Sequence, residues 1–363
     1  MSKLKILCLP GTRMRASNPF TALLADGLTE AGACVQDFTM KDAIVTKYDA
    51  IIIHWPDHFS SQRALPIAII RTLSLILVLT WQRLRGAKIV RVVHDVSALF
   101  PQRRWLRSIN QKIIGRLVTD FLFLSQSSET AFRGNFPSAA TRRGLRLFHP
   151  RYDPVVSPAL TAGTQAPREK CVNYVGDIKP YKGLHNFLAH IAEHPLTAPF
   201  NIYGRCEEPA YRATIASKIS TARAAGNDIN WDENRPSAAE FNQRVGEAGL
   251  LLLPYLDGWN SGMALSALEA GTPILATSLP IFEELKKDIG NDWITTYTPE
   301  SGDLPRLIER RLSSPPSGTD QKVLAAYLER LDWKLFSTSL FNLLNDGRET
   351  DFSATNPAHQ GQS

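Results

Sequence analysis

Cysteine is scarce in this chain. Cys8, Cys34, Cys171 and Cys206 are spread through 363 residues, and no two form a C-x-x-C pair. That spacing excludes a disulfide framework and a structural zinc ribbon, and it fits a reducing compartment. A secretory leader pattern is also missing: Met1-Ser2-Lys3-Leu4-Lys5 runs straight into a strand-like apolar stretch at residues 6–9 without a cleavage-site pattern. A cytoplasmic location is the expectation from this. No Asp-x-Asp pair occurs, and no internal repeat is visible. The missing Asp-x-Asp leads to the expectation of no divalent-ion requirement.

Acidic residues are few in the first half. Residues 1–155 carry 22 Lys and Arg against 10 Asp and Glu, while the remainder carries 19 against 25. A basic half joined to an acidic half predicts a surface that meets something anionic, either nucleic acid or lipid. The basic residues do not alternate with stacking aromatics as in a nucleic-acid groove. Arg63, Arg71, Arg83, Arg85 and Lys88 instead border an apolar segment, residues 65–81, whose single charge is Arg71. About 20 apolar residues are needed to span a bilayer. This segment therefore reads as a helix lying on an anionic membrane surface or as a buried helix of an α/β domain. A nucleic-acid-binding protein is the alternative from another class, separated by binding to oligonucleotides against anionic vesicles.

What is present is a repeated alternation of strand-like and helix-like runs. Residues 5–9, 48–54, 88–94 and 120–125 read as buried strands. The first is followed by a helix over 20–31, with Asn18 as N-cap and Pro19 in the first turn. A stretch rich in Pro, Ala, Gly and Thr at 153–168 reads as an interdomain linker. The alternation then restarts. Strands are expected at 171–176, 200–204, 228–231, 249–254 and 273–277, and helices near 181–193, 209–224, 238–247 and 262–270. Such a pattern predicts α/β architecture with two Rossmann-like, doubly wound domains facing a central cleft, the GT-B plan. The expected division is an N-terminal domain over 1–155 and a C-terminal domain over 156–330. A helix within 331–346 follows, then a disordered polar tail over 347–363.

Ligands of open α/β sheets bind beyond the carboxyl ends of strands. Two second-domain segments sit there. In Tyr-Val-Gly-Asp-Ile-Lys-Pro-Tyr-Lys-Gly (174–183), Lys179 and Lys182 can balance a diphosphate, and Gly183 allows close approach. In residues 251–277, a loop containing Asn260 and Ser261 leads into a helix starting at Gly262, whose first N–H groups can hold phosphate. Glu269, late on that helix, can accept from a ribose, and Arg205 is a further phosphate candidate. In the first domain His54 precedes Trp55-Pro56-Asp57, and His94 precedes Asp95, each at a strand end. Transfer to a hydroxyl needs a base, so Asp57 is the first candidate, with His94 or Asp95 next. Asn18 and His54 fall on the acceptor side.

Together the Gly–Lys loop and the Glu-ended helix resemble the donor site of the GT-B glycosyltransferases, which often read G-R-L-x-P-E-K-G and E-x7-E. Here Asp177 stands where that class has Arg, Ser261 replaces the first Glu, and Glu269 keeps the second. In retaining members the first Glu holds the donor sugar. A retaining enzyme using another UDP- or GDP-sugar is the alternative, separated by the product's anomeric configuration.

A closer resemblance is to the bacterial exopolysaccharide β-mannosyltransferases. It is carried by Asn18-Pro19-Phe20, residues 48–57, Val92-Val93-His94, Lys179-Pro180-Tyr181-Lys182-Gly183, Leu253-Pro254-Tyr255, Asn260-Ser261-Gly262, residues 290–293 and Asp332-Trp333. That resemblance implies inverting, metal-independent transfer of mannose from GDP-mannose to a polyprenyl-diphosphate-linked oligosaccharide. It also implies a peripheral position on the inner face of the cell membrane, no cofactor beyond the nucleotide-sugar, and a last helix returning to the first domain.

Overall fold

The computed structural model describes residues 3–15, 18–62, 64–94, 104–136, 141–153, 155–165, 168–299 and 302–346. Twelve strands are described: β1 (Lys5–Leu9), β2 (Cys34–Asp37), β3 (Ala50–Ile53), β4 (Lys88–Val93), β5 (Asp120–Phe123), β6 (Arg143–Arg146), β7 (Val172–Val175), β8 (Phe200–Tyr203), β9 (Ile229–Asp232), β10 (Leu250–Leu253), β11 (Ile274–Thr277) and β12 (Ile294–Tyr297). The helices of the first half are α1 (Pro19–Glu30), α2 (Met40–Val45), α3 (Asp57–Ser60), α4 (Leu65–Leu84), α5 (Arg104–Leu117) and α6 (Gln126–Asn135). Those that follow are α7 (Pro158–Ala162), α8 (Leu184–Glu193), α9 (Pro209–Ala224), α10 (Ala238–Glu247), α11 (Gly262–Glu269), α12 (Pro280–Ile289), α13 (Leu304–Ser313), α14 (Gly318–Glu329) and α15 (Trp333–Asp346).

The chain divides into two units, one of Met1–Pro150 with Leu331–Ser363, the other of Arg151–Arg330. The crossover at 150/151 lies five residues before the boundary expected at 155/156. Unit 1 holds a six-stranded parallel sheet in the order β2-β1-β3-β4-β5-β6. Its chain direction switches between β1 and β3. Unit 2 holds a second parallel sheet, β12-β11-β10-β7-β8-β9, whose switch lies between β7 and β10. Crevices at such switch points are where ligands of doubly wound sheets bind.

Parallel strands must be covered on both faces, which is why β3 and β10 are apolar throughout and buried at every position. In unit 1, Asn18 Oδ1 caps α1 by accepting from Phe20 N at 3.2 Å, and Pro19 opens the helix. Phe20, Leu24 and Leu28 recur at helical spacing and enter the core with Ile6, Ile52 and Val92. The last helix, α15, packs on α1 in this same unit and adds Phe336, Leu340, Leu343 and Leu344. Contact is close enough that a Cβ at Gly27 would lie 2.1 Å from Ser337 Oγ. Lys88 Nζ donates to the carbonyls of Leu343 (3.0 Å) and Leu344 (2.7 Å), a cation at the negative end of α15.

The apolar segment forms the 20-residue helix α4. Its inner face (Ala68, Thr72, Leu75, Val78, Leu79 and Gln82) is buried. Gln82 Nε2 donates to Ala43 O and Thr46 O at 2.7 Å each, which ties α4 to α2 and its C-cap. The outer face is an apolar stripe, Ile70, Leu73, Leu77, Trp81 and Leu84, exposed by 47–79%. By length and composition the helix is able to cross a membrane, and a third of its apolar window is buried.

The stretch expected as a linker, 153–168, differs in the structure. It contains α7, whose C-terminal Gly163 (φ +73°) lies against Gly318 O at the start of α14. Gln165 Nε2 donates to Ala270 O at 2.9 Å, and Arg168 donates to the carbonyls of Ala270 and Gly271. The segment is docked on unit 2 because its polar side chains cap the carboxyl end of α11. The expected tail, 347–363, lies outside the described residues.

Candidate functional site

In unit 1 the carboxyl ends of β3 and β4 deliver His54 and His94 side by side. His54 Nδ1 lies 2.9 Å from His94 Nε2. His54 is 2% exposed, and its Nε2 has no hydrogen-bond partner among the described residues. Phe20 packs edge-on against both rings and also touches His149 and Trp333. Trp55 stacks on His94 with centroids 4.4 Å apart. Burial pushes His54 down to about 3 and holds His94 well below the usual imidazole range, with the neighbouring His54 and His149 adding to the latter. His149 falls to about 4 through burial, opposed by backbone hydrogen bonds. All three imidazoles are thus neutral near pH 7, because burial disfavours their protonated form.

Asp57 is half-buried and hydrogen-bonded. Gln111 Nε2 donates to both of its oxygens (2.5 and 2.6 Å), and Arg107 Nε donates to Oδ2 at 3.0 Å. Arg91, buried in β4, donates in turn to Gln111 Oε1. Burial lowers Arg91 to about 10, with Asp57 opposing that shift. This network fastens α3 to α5 through the carboxylate expected to act as base. Asp95 lies outside the described residues. Asn18, expected on the acceptor side, caps α1.

In unit 2 the switch point brings together the two segments expected to bind the donor. After β7 the chain turns at Gly176 (φ +117°), makes a 3₁₀ turn at Pro180–Lys182 and enters α8 through Gly183 (φ +68°, ψ 7°). After β10 it runs through residues 254–261 into α11. The loops are joined by Leu256 N–H donating to Tyr181 O at 2.8 Å, and by a contact at Gly183 so close that a Cβ would stand 1.9 Å from Pro254 O. Gly183 is therefore required both for its left-handed backbone and for this approach. Lys182, on the first loop, has its ammonium lowered to about 8 by burial and by Lys179, with Asp177 opposing. Ser261 Oγ caps α11 by accepting from Ala264 N at 3.1 Å. This leaves the N–H groups of Gly262 and Met263 at the positive end of the helix for an anion. Arg168 at the other end complements the same dipole.

The structure places three further expected donor residues as follows. Lys179 is exposed. Arg205 pairs with Glu207. Glu269, expected at a ribose, accepts the backbone N–H groups of Tyr152 and Asp153 and stands at about 7, raised chiefly by burial. Tyr152 and His149 were not legible as site residues, since neither lies in a motif. Only their neighbours in space, Gly262 and Phe20, mark them. Among the described residues no cluster of three or more His, Cys, Asp or Glu is arranged to hold a metal ion.

No family model matches the chain. Two curated relatives from Xanthomonas campestris pv. campestris, each named GDP-mannose:glycolipid 4-beta-D-mannosyltransferase, are 24% and 23% identical over 287 residues, covering 78% of this chain and 76% of theirs. Among solved structures, the sucrose-phosphate synthase of Thermosynechococcus elongatus superposes with a TM-score of 0.67 at 14% identity, covering 94% of this chain and 98% of that one. Anabaena HepE in complex with UDP superposes with a TM-score of 0.66 at 15% identity, covering 94% and 99%. With two parallel six-stranded sheets in switch-point order, the chain has the GT-B glycosyltransferase fold, and its sequence is similar over most of its length to the Xanthomonas glycolipid mannosyltransferases.

Proposed function

We propose that the protein is a hexosyltransferase that moves mannose from GDP-mannose, with inversion, onto a polyprenyl-diphosphate-linked oligosaccharide at the inner face of the cell membrane. The observation that carries this reading is the unit 2 switch point, where the Lys182 ammonium, the Gly183 approach and the open N–H groups of α11 lie on two hydrogen-bonded loops. That combination suits the leaving diphosphate of a nucleotide-sugar, whose charge grows as the glycosidic bond breaks. The names of the relatives support mannose and a glycolipid acceptor.

In the proposed step the acceptor oxygen attacks C1 of the sugar. The bond from C1 to the β-phosphate oxygen breaks, GDP leaves with the electron pair, and the hydroxyl proton passes to a base. We assign that last role to His94, which stands at the carboxyl end of β4 with its Nε2 2.9 Å from His54 Nδ1, and keep Asp57, whose oxygens accept from Gln111 and Arg107, as the alternative base.

The membrane part rests on α4. Its exposed stripe adjoins Ile44 and Val45 of α2, which are 51% and 69% exposed, and Trp81 Nε1 donates to Ile44 O at 2.9 Å. Each such side chain moved fully from water into an apolar phase gains about 1.5–3 kcal/mol. Charge plays a smaller part than the sequence suggests. Arg85 donates to carbonyls of residues 44–46, Lys88 to carbonyls of α15 and Arg71 to Gln62 Oε1 at 3.0 Å, which leaves Arg83 in the last turn of α4 to meet headgroups.

The test is a donor panel of GDP-mannose, GDP-fucose, UDP-glucose and UDP-galactose, with a lipid-linked oligosaccharide as acceptor. Nucleotide release and the product's anomeric configuration are the readouts. GDP release with a β-linked product is expected. An α-linked product would move the enzyme to the retaining alternative, and no turnover with any nucleotide-sugar would end the glycosyltransferase reading.

A further inference from the structure

Tyr152 is the second residue of unit 2 after the crossover from unit 1. Its backbone N–H is held by Glu269, the last residue of α11. Its side chain runs back along that helix to the first residue, where a Cβ built on Gly262 would stand 3.0 Å from Tyr152 Oη and 3.5 Å from Cε2. Gly262 and Glu269 lie at i and i+7, so they share one face of α11, and Tyr152 meets that face at both ends. Gly262 has none of the positive-φ conformations that demand glycine elsewhere in the chain. The room it leaves is filled by the Tyr152 ring.

This geometry has a physical cost. Glu269 is buried enough to raise its carboxyl to about 7, yet it is spent on two backbone N–H groups of residues 152 and 153. A buried carboxylate so used fixes the path of the backbone and hence the position of the side chain it carries. What that position offers is a hydroxyl against Gly262, the first residue of α11, at whose amino end the proposed diphosphate sits. The adjoining loop presents Lys182, an ammonium largely withdrawn from water that has no hydrogen-bond or ion-pair partner among the described residues. Burial, then Glu269, raises the Tyr152 phenol to about 12, so it remains a proton donor throughout the working range.

We propose that Tyr152 is a donor-site residue whose hydroxyl, positioned by Glu269, hydrogen-bonds the diphosphate of the nucleoside-diphosphate donor at the amino end of α11. The proposal rests on the reading of unit 2 as the nucleotide-binding unit. It assigns Glu269 to holding Tyr152 in place of contacting a ribose, and it explains Gly262 by the ring packed on it.

Calorimetry of GDP and UDP binding to the full-length protein tests this, using wild type, Tyr152→Phe, Tyr152→Ala and Lys182→Ala. Tyr152→Phe keeps the ring against Gly262 and removes only the hydroxyl. It is expected to weaken binding of the preferred nucleotide about tenfold, as for loss of a hydrogen bond to a charged group, with an unchanged melting temperature. Tyr152→Ala is expected to weaken binding at least as much and to lower the melting temperature as well. Binding by Tyr152→Phe within twofold of wild type, while Lys182→Ala is clearly weakened, would overturn the role of Tyr152 and leave the nucleotide site standing. Failure of wild type to bind either nucleotide would overturn both.

Discussion

Gly183→Ala is the sharpest perturbation of the donor loops, because two separate costs meet at one position. Alanine at φ +68° pays the left-handed penalty of about 1–2 kcal/mol. The new methyl also stands 1.9 Å from Pro254 O, a backbone atom, so one loop must retreat by more than 1 Å merely to reach 3.0 Å. That movement strains the Leu256 N–H to Tyr181 O bond, worth about 1 kcal/mol, and overpacks a filled contact at about 1–3 kcal/mol. Gly226→Ala is the matched control: φ there is +101°, with nothing within 4 Å of the added methyl, so only the backbone penalty applies. For a unit of this size 1 kcal/mol is worth about 2–4 °C. Gly183→Ala is therefore expected to melt roughly 5–15 °C below Gly226→Ala by scanning calorimetry. Displacement of the neighbouring Lys182 should also weaken GDP binding at least tenfold, while Gly226→Ala binds normally. Equal melting temperatures for the two variants would refute the close approach of the loops, and with it the construction of the site.

Three further outcomes follow from the geometry. His94→Ala is expected to lower turnover about 10²–10⁴-fold with GDP affinity intact, whereas Asp57→Asn should chiefly lower thermal stability by loosening α3 from α5; collapse of turnover in Asp57→Asn with stability retained would return the base role to Asp57. Leu73→Ser with Leu77→Ser should release the protein from anionic vesicles in a flotation assay, while Arg85→Gln should have the smaller effect on flotation; a double variant that floats like wild type would remove α4 from the membrane contact. Glu269 is raised from its ordinary value to about 7 in the folded protein, so the folded state holds its proton more tightly than the unfolded chain does. Its stabilising contribution is full below about pH 4.5 and is lost as pH rises through 7, by at most about 3 kcal/mol. Glu269→Gln should accordingly flatten the fall in urea-denaturation stability between pH 5 and 7.5, and an unchanged slope would exclude this titration.

Much of the fold was legible because parallel sheets make their central strands apolar on both faces. Strands β1, β3, β4, β5, β7, β8, β10 and β11 announce themselves as short buried runs, the edge strand β9 was also anticipated, and residues 209–224 and 238–247 give α9 and α10 their full lengths. The strands not anticipated, β2, β6 and β12, are all at sheet edges. There one flank lacks a neighbouring strand, fewer positions are buried, and sequences such as Arg143-Gly144-Leu145-Arg146 carry no apolar run. The docked segment 153–168 was misread as a linker for a related reason. Its composition is that of a loop, and the carbonyls it caps on α11 are about a hundred residues away in sequence.

By itself the sequence determined which residues reach the carboxyl ends of the strands, because a strand's end and the loop after it are local properties. His54, His94, Lys182, Gly183 and Ser261 were found in this way. Which of their atoms remain available was decided only by tertiary structure, since hydrogen-bond partners come from elements far apart in the chain. That the oxygens of Asp57 accept from Arg107 and Gln111, some fifty residues later, is visible only in the folded chain. The same holds for Glu269, whose carboxylate accepts from the backbone of Tyr152, 117 residues earlier.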